Sequence, residues 1–136
     1  AQAVRLLGLT ANGVYDVRRC LRTLAEVLTT GADEVKVAAA GALAAMDQAE
    51  AQRAIAALAV RAEAAEAVRI EAFRAASESV RVFGNQLTEA LVEQVIEVVA
   101  GDGSLELRDA AAQLLGALNL PSEKIKSLIQ AATEAD

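Results

Sequence analysis

The sequence predicts an all-α fold in which about three helical hairpins stack in chain order as an open solenoid, with partial hairpins at both ends. Three observations predict it. First, one short pattern recurs: Val35-Lys36 is followed by Ala38, Ala39 and Leu43, Val68-Arg69 by Ala72 and Ala75, and Leu107-Arg108 by Ala110, Ala111 and Leu115. Val4-Arg5, followed by Leu7 and Leu9, is a weaker copy, so the landmark returns after 31, 33 and 39 residues, the interval of helical repeats rather than closed domains. Second, apolar residues keep helical spacing and no segment alternates as a half-buried strand does. Third, hydrophobic residues make up 54% of the chain but aromatics only 2%, so alanine and aliphatic side chains must do the packing, which suits closely set helices.

Eight helices follow from periodicity and breakers. Residues 2–10 form a short first helix that ends at the turn dipeptide Asn12-Gly13. The second runs from about Tyr15 to Thr29 with Leu21, Leu24 and Leu28 on one face, and Gly31 follows as a left-handed terminator. Asp33 is placed to cap the third helix, 34–46, by accepting a hydrogen bond from an otherwise unpaired backbone N–H. The fourth, about 48–61, aligns Ala51, Ile55, Leu58 and Ala59, and the fifth runs from about Ala64 to Phe83, where Gly84-Asn85 breaks it. No Gly or Pro separates these two, so the polar stretch Arg61 to Glu66 also fits one continuous helix. The sixth, 86–100, carries Leu87, Leu91, Val95 and Val98; Gly101-Asp102-Gly103-Ser104 is a loop, and the seventh covers 105–118. Pro121 suits the first turn of a last helix, 121–134, whose apolar face is Ile125, Leu128, Ile129 and Ala132.

At 136 residues the chain holds one cooperative unit, residues 1–136. It starts without Met and in mid-repeat, which favours a segment cut from a longer protein. No apolar run approaches the roughly 18 residues a membrane span needs, so a soluble protein is expected. No signal peptide is readable either, which favours a cytoplasmic location. Cys20 is the only cysteine; an internal disulfide is impossible, and a buried small hydrophobe is the expected role. The chain has no His, which removes the commonest general base, the commonest metal ligand and every imidazole triad. An enzyme is not expected, nor a cofactor or metal. A net charge of −6 opposes the phosphate neutralisation that drives nucleic-acid binding, and Tyr15, Phe73 and Phe83 form no stacking row.

Read as hairpins, the units have an aliphatic first helix, a short turn, and a second helix that opens on Val-Arg and continues through alanines to a Leu. This resembles the HEAT repeat, which implies a right-handed α-solenoid. The best unit is residues 21–46, with Leu21, Leu24, Val27 and Leu28 on the first helix and Val35-Lys36, Ala38, Ala39, Ala42 and Leu43 on the second; residues 55–76 and 91–118 are further units. The repeats are placed at about 14–47, 48–84 and 85–119, flanked by partial ones at 1–13 and 120–136. Departures are the absence of Asp-Pro in the turns, Leu107 in place of Val, and no alanines after Val4-Arg5. One hairpin cannot bury its own apolar face, so stability must come from stacking on the next. A compact helical bundle is the rival architecture, and contacts between residues 1–30 and 105–136 would distinguish it.

The resemblance implies that the second helices line a concave surface, along which Arg5, Lys36, Arg69 and Arg108 form a ladder extended by Arg74 and Arg81. Such a ladder suits an acidic peptide. In the competing account the repeated Arg holds the stack together through a carboxylate or carbonyl of the adjacent repeat, with Asp33, Glu66 and Asp102 as partners. Glu89, Glu93 and Glu97 form an acidic strip on one side of the sixth helix, a solvated face or a docking strip for a basic partner. The expected function is a non-enzymatic scaffold binding a protein or peptide; the alternative is an accessory module of a lyase or modification enzyme that positions substrate or a catalytic partner. Apolar residues in both terminal helices also suggest end-to-end self-association.

Overall fold

The computed structural model describes residues 14–120 together with Lys126 and Gln130, both helical. The expected helices 2–10 and 121–134, and Arg5, lie outside the described residues apart from those two positions. All regular structure in the described part is helical: α1 (Val14–Thr30), α2 (Asp33–Ala44), α3 (Ala49–Ala59), α4 (Glu66–Phe83), α5 (Glu89–Ala100) and α6 (Leu105–Ala117).

The ends of these helices differ from expectation in instructive ways. Gly31 does not adopt a positive φ; the glycine that does is Gly84, at φ 85°. Gly31 is required instead by proximity, because a Cβ there would stand 2.8 Å from the Val27 carbonyl oxygen. Asp33 does not cap α2. The N-cap is Ala32, without a side-chain bond, and Asp33 lies inside the first turn with Glu34, where both carboxylates face the positive end of the helix dipole. The stretch 61–66 does not continue as one helix. α3 closes at Ala59, Arg61 N–H donates to the Leu58 carbonyl and Ala64 N–H to that of Arg61, each at 3.2 Å, and these tight turns reverse the chain. α5 begins at Glu89, three residues late, because the Thr88 hydroxyl accepts from Leu91 N–H at 3.2 Å. Ser104 caps α6 in the same way through Leu107 N–H at 3.1 Å, and Asn119 leaves α6 at φ 55°, a conformation Asn tolerates better than most residues.

Packing follows chain order. α1 with α2, α3 with α4, and α5 with α6 form hairpins. The first helices touch in series, α1 to α3 to α5, as do the second helices, α2 to α4 to α6, and α2 also meets α3. α1 touches neither α5 nor α6, and α2 touches neither of them. Small side chains permit these approaches. Ala39, Ala72 and Ala111 stand four residues after Val35, Val68 and Leu107 and are exposed by 0%, 1% and 0%. Phe73 in α4 is fully buried and belongs to the same core cluster as Ile55, Leu58 and Val95, also buried. Cys20 is buried on α1 beside Leu24 and Leu28 in sequence register, as a small hydrophobe would be.

α4 and α5 are consecutive yet do not touch. Their connector is held from α3. Gln52, 1% exposed, donates through Nε2 to Ser79 Oγ at 3.1 Å and to the Gly84 carbonyl at 3.0 Å, and its Oε1 accepts from Gln86 N–H at 2.8 Å. Arg53 Nε donates to the Gln86 carbonyl at 2.8 Å. Replacing Gln52 by Ala leaves the buried Ser79 hydroxyl, the Gly84 carbonyl and the Gln86 N–H without this partner, and a buried polar group left unpaired costs about 1–3 kcal/mol. Q52A is therefore expected to lose about 2–4 kcal/mol of stability in urea unfolding, whereas a loss below about 1 kcal/mol would show that the connector does not depend on it.

Candidate functional site

The last carbonyls of a helix have no partner within it and sit at the negative end of its dipole. Two of the repeated cations answer that need. Arg69, in the first turn of α4, donates through Nε to the Ala59 carbonyl at 2.8 Å, and Arg108, in the first turn of α6, does the same to Val99 at 3.1 Å. Each reaches the end of the first helix of its own hairpin, not the adjacent one, and neither pairs with Asp33, Glu66 or Asp102. Lys36 occupies the matching place in α2 and makes no side-chain hydrogen bond or ion pair among the described residues. The chemistry of the first hairpin explains this. The Glu26 carbonyl already accepts from the hydroxyls of Thr29 at 2.8 Å and Thr30 at 2.9 Å, and the Val27 carbonyl from Gly31 N–H at 2.8 Å.

Arg74 lies further along α4 and is spoken for by carboxylates. Its Nη1 stands 2.7 Å from Glu71 Oε1 and its Nη2 3.5 Å from Glu106 Oε1 on α6. Arg81 pairs with Glu78 at 4.0 Å. These groups are all well exposed, from 45% to 68%, so each bridge contributes only a few tenths of a kcal/mol up to about 1. The four residues Lys36, Arg69, Arg74 and Arg108 thus differ in their partners: Arg69 and Arg108 cap helix ends, Arg74 bridges Glu71 and Glu106, and Lys36 makes no side-chain hydrogen bond or ion pair among the described residues.

The acidic residues Glu89, Glu93 and Glu97 are all exposed along α5. Glu97 faces a cleft of about 310 Å³ between the turn of the second hairpin, Val60 to Ala62, and that of the third, Gly101 to Gly103. Arg69 and Asp102 line the same cleft, with Gln94 from α5 and an apolar floor of Val60, Val98 and Leu107. One member of the cationic ladder and one of the acidic strip therefore meet there. Gly101 shapes the rim, since a Cβ would come within 3.0 Å of the Glu97 carbonyl.

A wider cleft of about 700 Å³ runs along α1 to the start of α3, with Arg18, Arg22, Glu26 and Glu50 around Leu21 and Ala25. Val17-Arg18 repeats the dipeptide of the landmark but not the alanines that follow it, and Arg22 lies outside the pattern. Among the described residues no group of three or more His, Cys, Asp or Glu is placed to hold a metal ion, and no helix is long and apolar enough to cross a membrane. Comparison with protein-family models, with curated proteins and with solved structures finds no match.

The geometry ranks the cations by structural cost. Arg69→Ala should lose about 1–2 kcal/mol, Arg108→Ala less because its bond is longer and more exposed, and Lys36→Ala less than about 0.5 kcal/mol. Urea midpoints of the three variants check this order, and an equal loss from Lys36→Ala would refute the capping account.

Proposed function

We propose that this chain is a non-enzymatic protein–protein interaction scaffold, a right-handed solenoid of HEAT-like hairpins that meets its partner at the cleft between the second and third hairpin turns. What carries the reading is the order of the contacts: each described helix meets only its next or next-but-one neighbour, and α1 never reaches α5 or α6. The recurrence of Arg69 and Arg108 on first-helix carbonyls and of alanine four residues after the landmark supports a repeated unit over a bundle.

The contact surface is moved from the concave ladder to the turn edge for an electrostatic reason. Arg74 and Arg81 are neutralised locally by Glu71, Glu106 and Glu78, so the exposed side of the second helices offers little field to an acidic peptide. The cleft keeps its charges. Arg69, Glu97 and Asp102 line it, and none of them makes an ion pair among the described residues.

Selection of binders from a displayed library of short peptides, followed by amide chemical-shift mapping, tests this. Enriched peptides should perturb Arg61, Ala62, Glu97 and Asp102. Shifts confined to Arg74, Glu78 and Gln113 would return the contact to the second helices, and no enrichment at all would overturn the scaffold reading.

A further inference from the structure

We propose that the cleft between the second and third hairpin turns selects a partner segment in which a carboxylate stands beside a basic side chain; this deepens the scaffold reading and rests on it for the role of the cleft. Arg69 sets the first requirement. A guanidinium has five N–H donors in a rigid fork. The Nε of Arg69 is fixed by the Ala59 carbonyl at 2.8 Å, while its terminal amino groups find no carboxylate within ion-pair distance among the described residues. The side chain is half-buried, so its orientation is set before any ligand arrives, and little further entropy is lost on binding. A fork held in this way suits bidentate capture of a carboxylate.

The same cleft also carries the opposite charge. Glu97 and Asp102 line it, and neither side chain makes a hydrogen bond or ion pair among the described residues. Glu93, exposed one turn earlier on α5, extends that negative charge along the helix. A segment of the inverse pattern satisfies both charges at once. A purely basic segment leaves Arg69 facing like charge, and a purely acidic one meets Glu97 and Asp102, so the same residues that attract the right partner repel the simpler ones. Val60, Val98 and Leu107 supply an apolar floor for the aliphatic stem of a lysine or arginine.

Fluorescence anisotropy with three labelled peptides tests the inference, their centres being Lys-Asp-Lys, Lys-Asn-Lys and Asn-Asp-Asn in a common Gly-Ser frame. The Lys-Asp-Lys peptide should bind at least about tenfold tighter than either of the others, the difference that one additional charge-assisted hydrogen bond makes. Glu97→Gln with Asp102→Asn should abolish the preference for Lys. Arg69→Lys keeps the charge but loses the fork, so it should reduce the preference for Asp several-fold; a lysine stands at the matching place in the first hairpin as Lys36, so this change keeps a residue the fold accepts, and circular dichroism confirms the helix content. Equal binding of the Lys-Asp-Lys and Lys-Asn-Lys peptides, or unchanged preferences in these variants, overturns the inference. So does absence of binding by all three; if library peptides still perturb Ala62 and Asp102, the scaffold reading survives that result.

Discussion

Close approach between second helices is the constraint on which the rest of the structure depends. Ala39, Ala72 and Ala111 occupy one register position in three successive second helices and are almost fully buried, and those helices touch in series, α2 to α4 to α6. Interiors are packed near crystal density, and a larger residue at these places would force the layers apart. The aliphatic first helices then fill the remaining volume, with Ile55, Val95 and Ile96 buried. No hairpin owns its core. The buried residues of all three hairpins form one continuous cluster, and each helix touches only its next or next-but-one neighbour.

Polar groups finish what packing begins, and they settle where charge is left without a partner. The first hairpin satisfies the end of α1 with Thr29, Thr30 and Gly31; the other two use Arg69 and Arg108. Once those arginines are fixed to carbonyls and Arg74 is shared between Glu71 and Glu106, the surface of the second helices is largely balanced. Unbalanced charge remains where two turns diverge, beside α5. The joint between α4 and α5, which no helix contact secures, is held by Gln52 and Arg53.

Much of the fold was legible in the sequence because its signals are local. Apolar spacing placed six described helices to within about three residues, and Gly84 marked a true break at positive φ. The misreadings come from competition between neighbours. Thr88 captures the start of α5 from Gln86 and Leu87, and Asp33 yields the cap position to Ala32. Gln52 was invisible because a polar residue between Ala51 and Arg53 reads as solvated until Ser79 and Gly84 are brought to it. The cleft was hidden for the same reason. Arg69 and Glu97 were each legible as charged positions, but they belong to different hairpins, and only the tertiary arrangement places them on one surface.

The separation of α1 from α6 tests the open stack most directly. Spin labels at Thr23 on α1 and Gln113 on α6, introduced as Thr23→Cys and Gln113→Cys with Cys20→Ala, report it by pulsed dipolar spectroscopy. Helices that touch lie about 8–10 Å apart, so ordered stacking through intervening helices predicts a narrow distribution centred beyond about 20 Å. A distribution centred below about 15 Å would place α1 against α6 in a closed bundle and contradict the open stack.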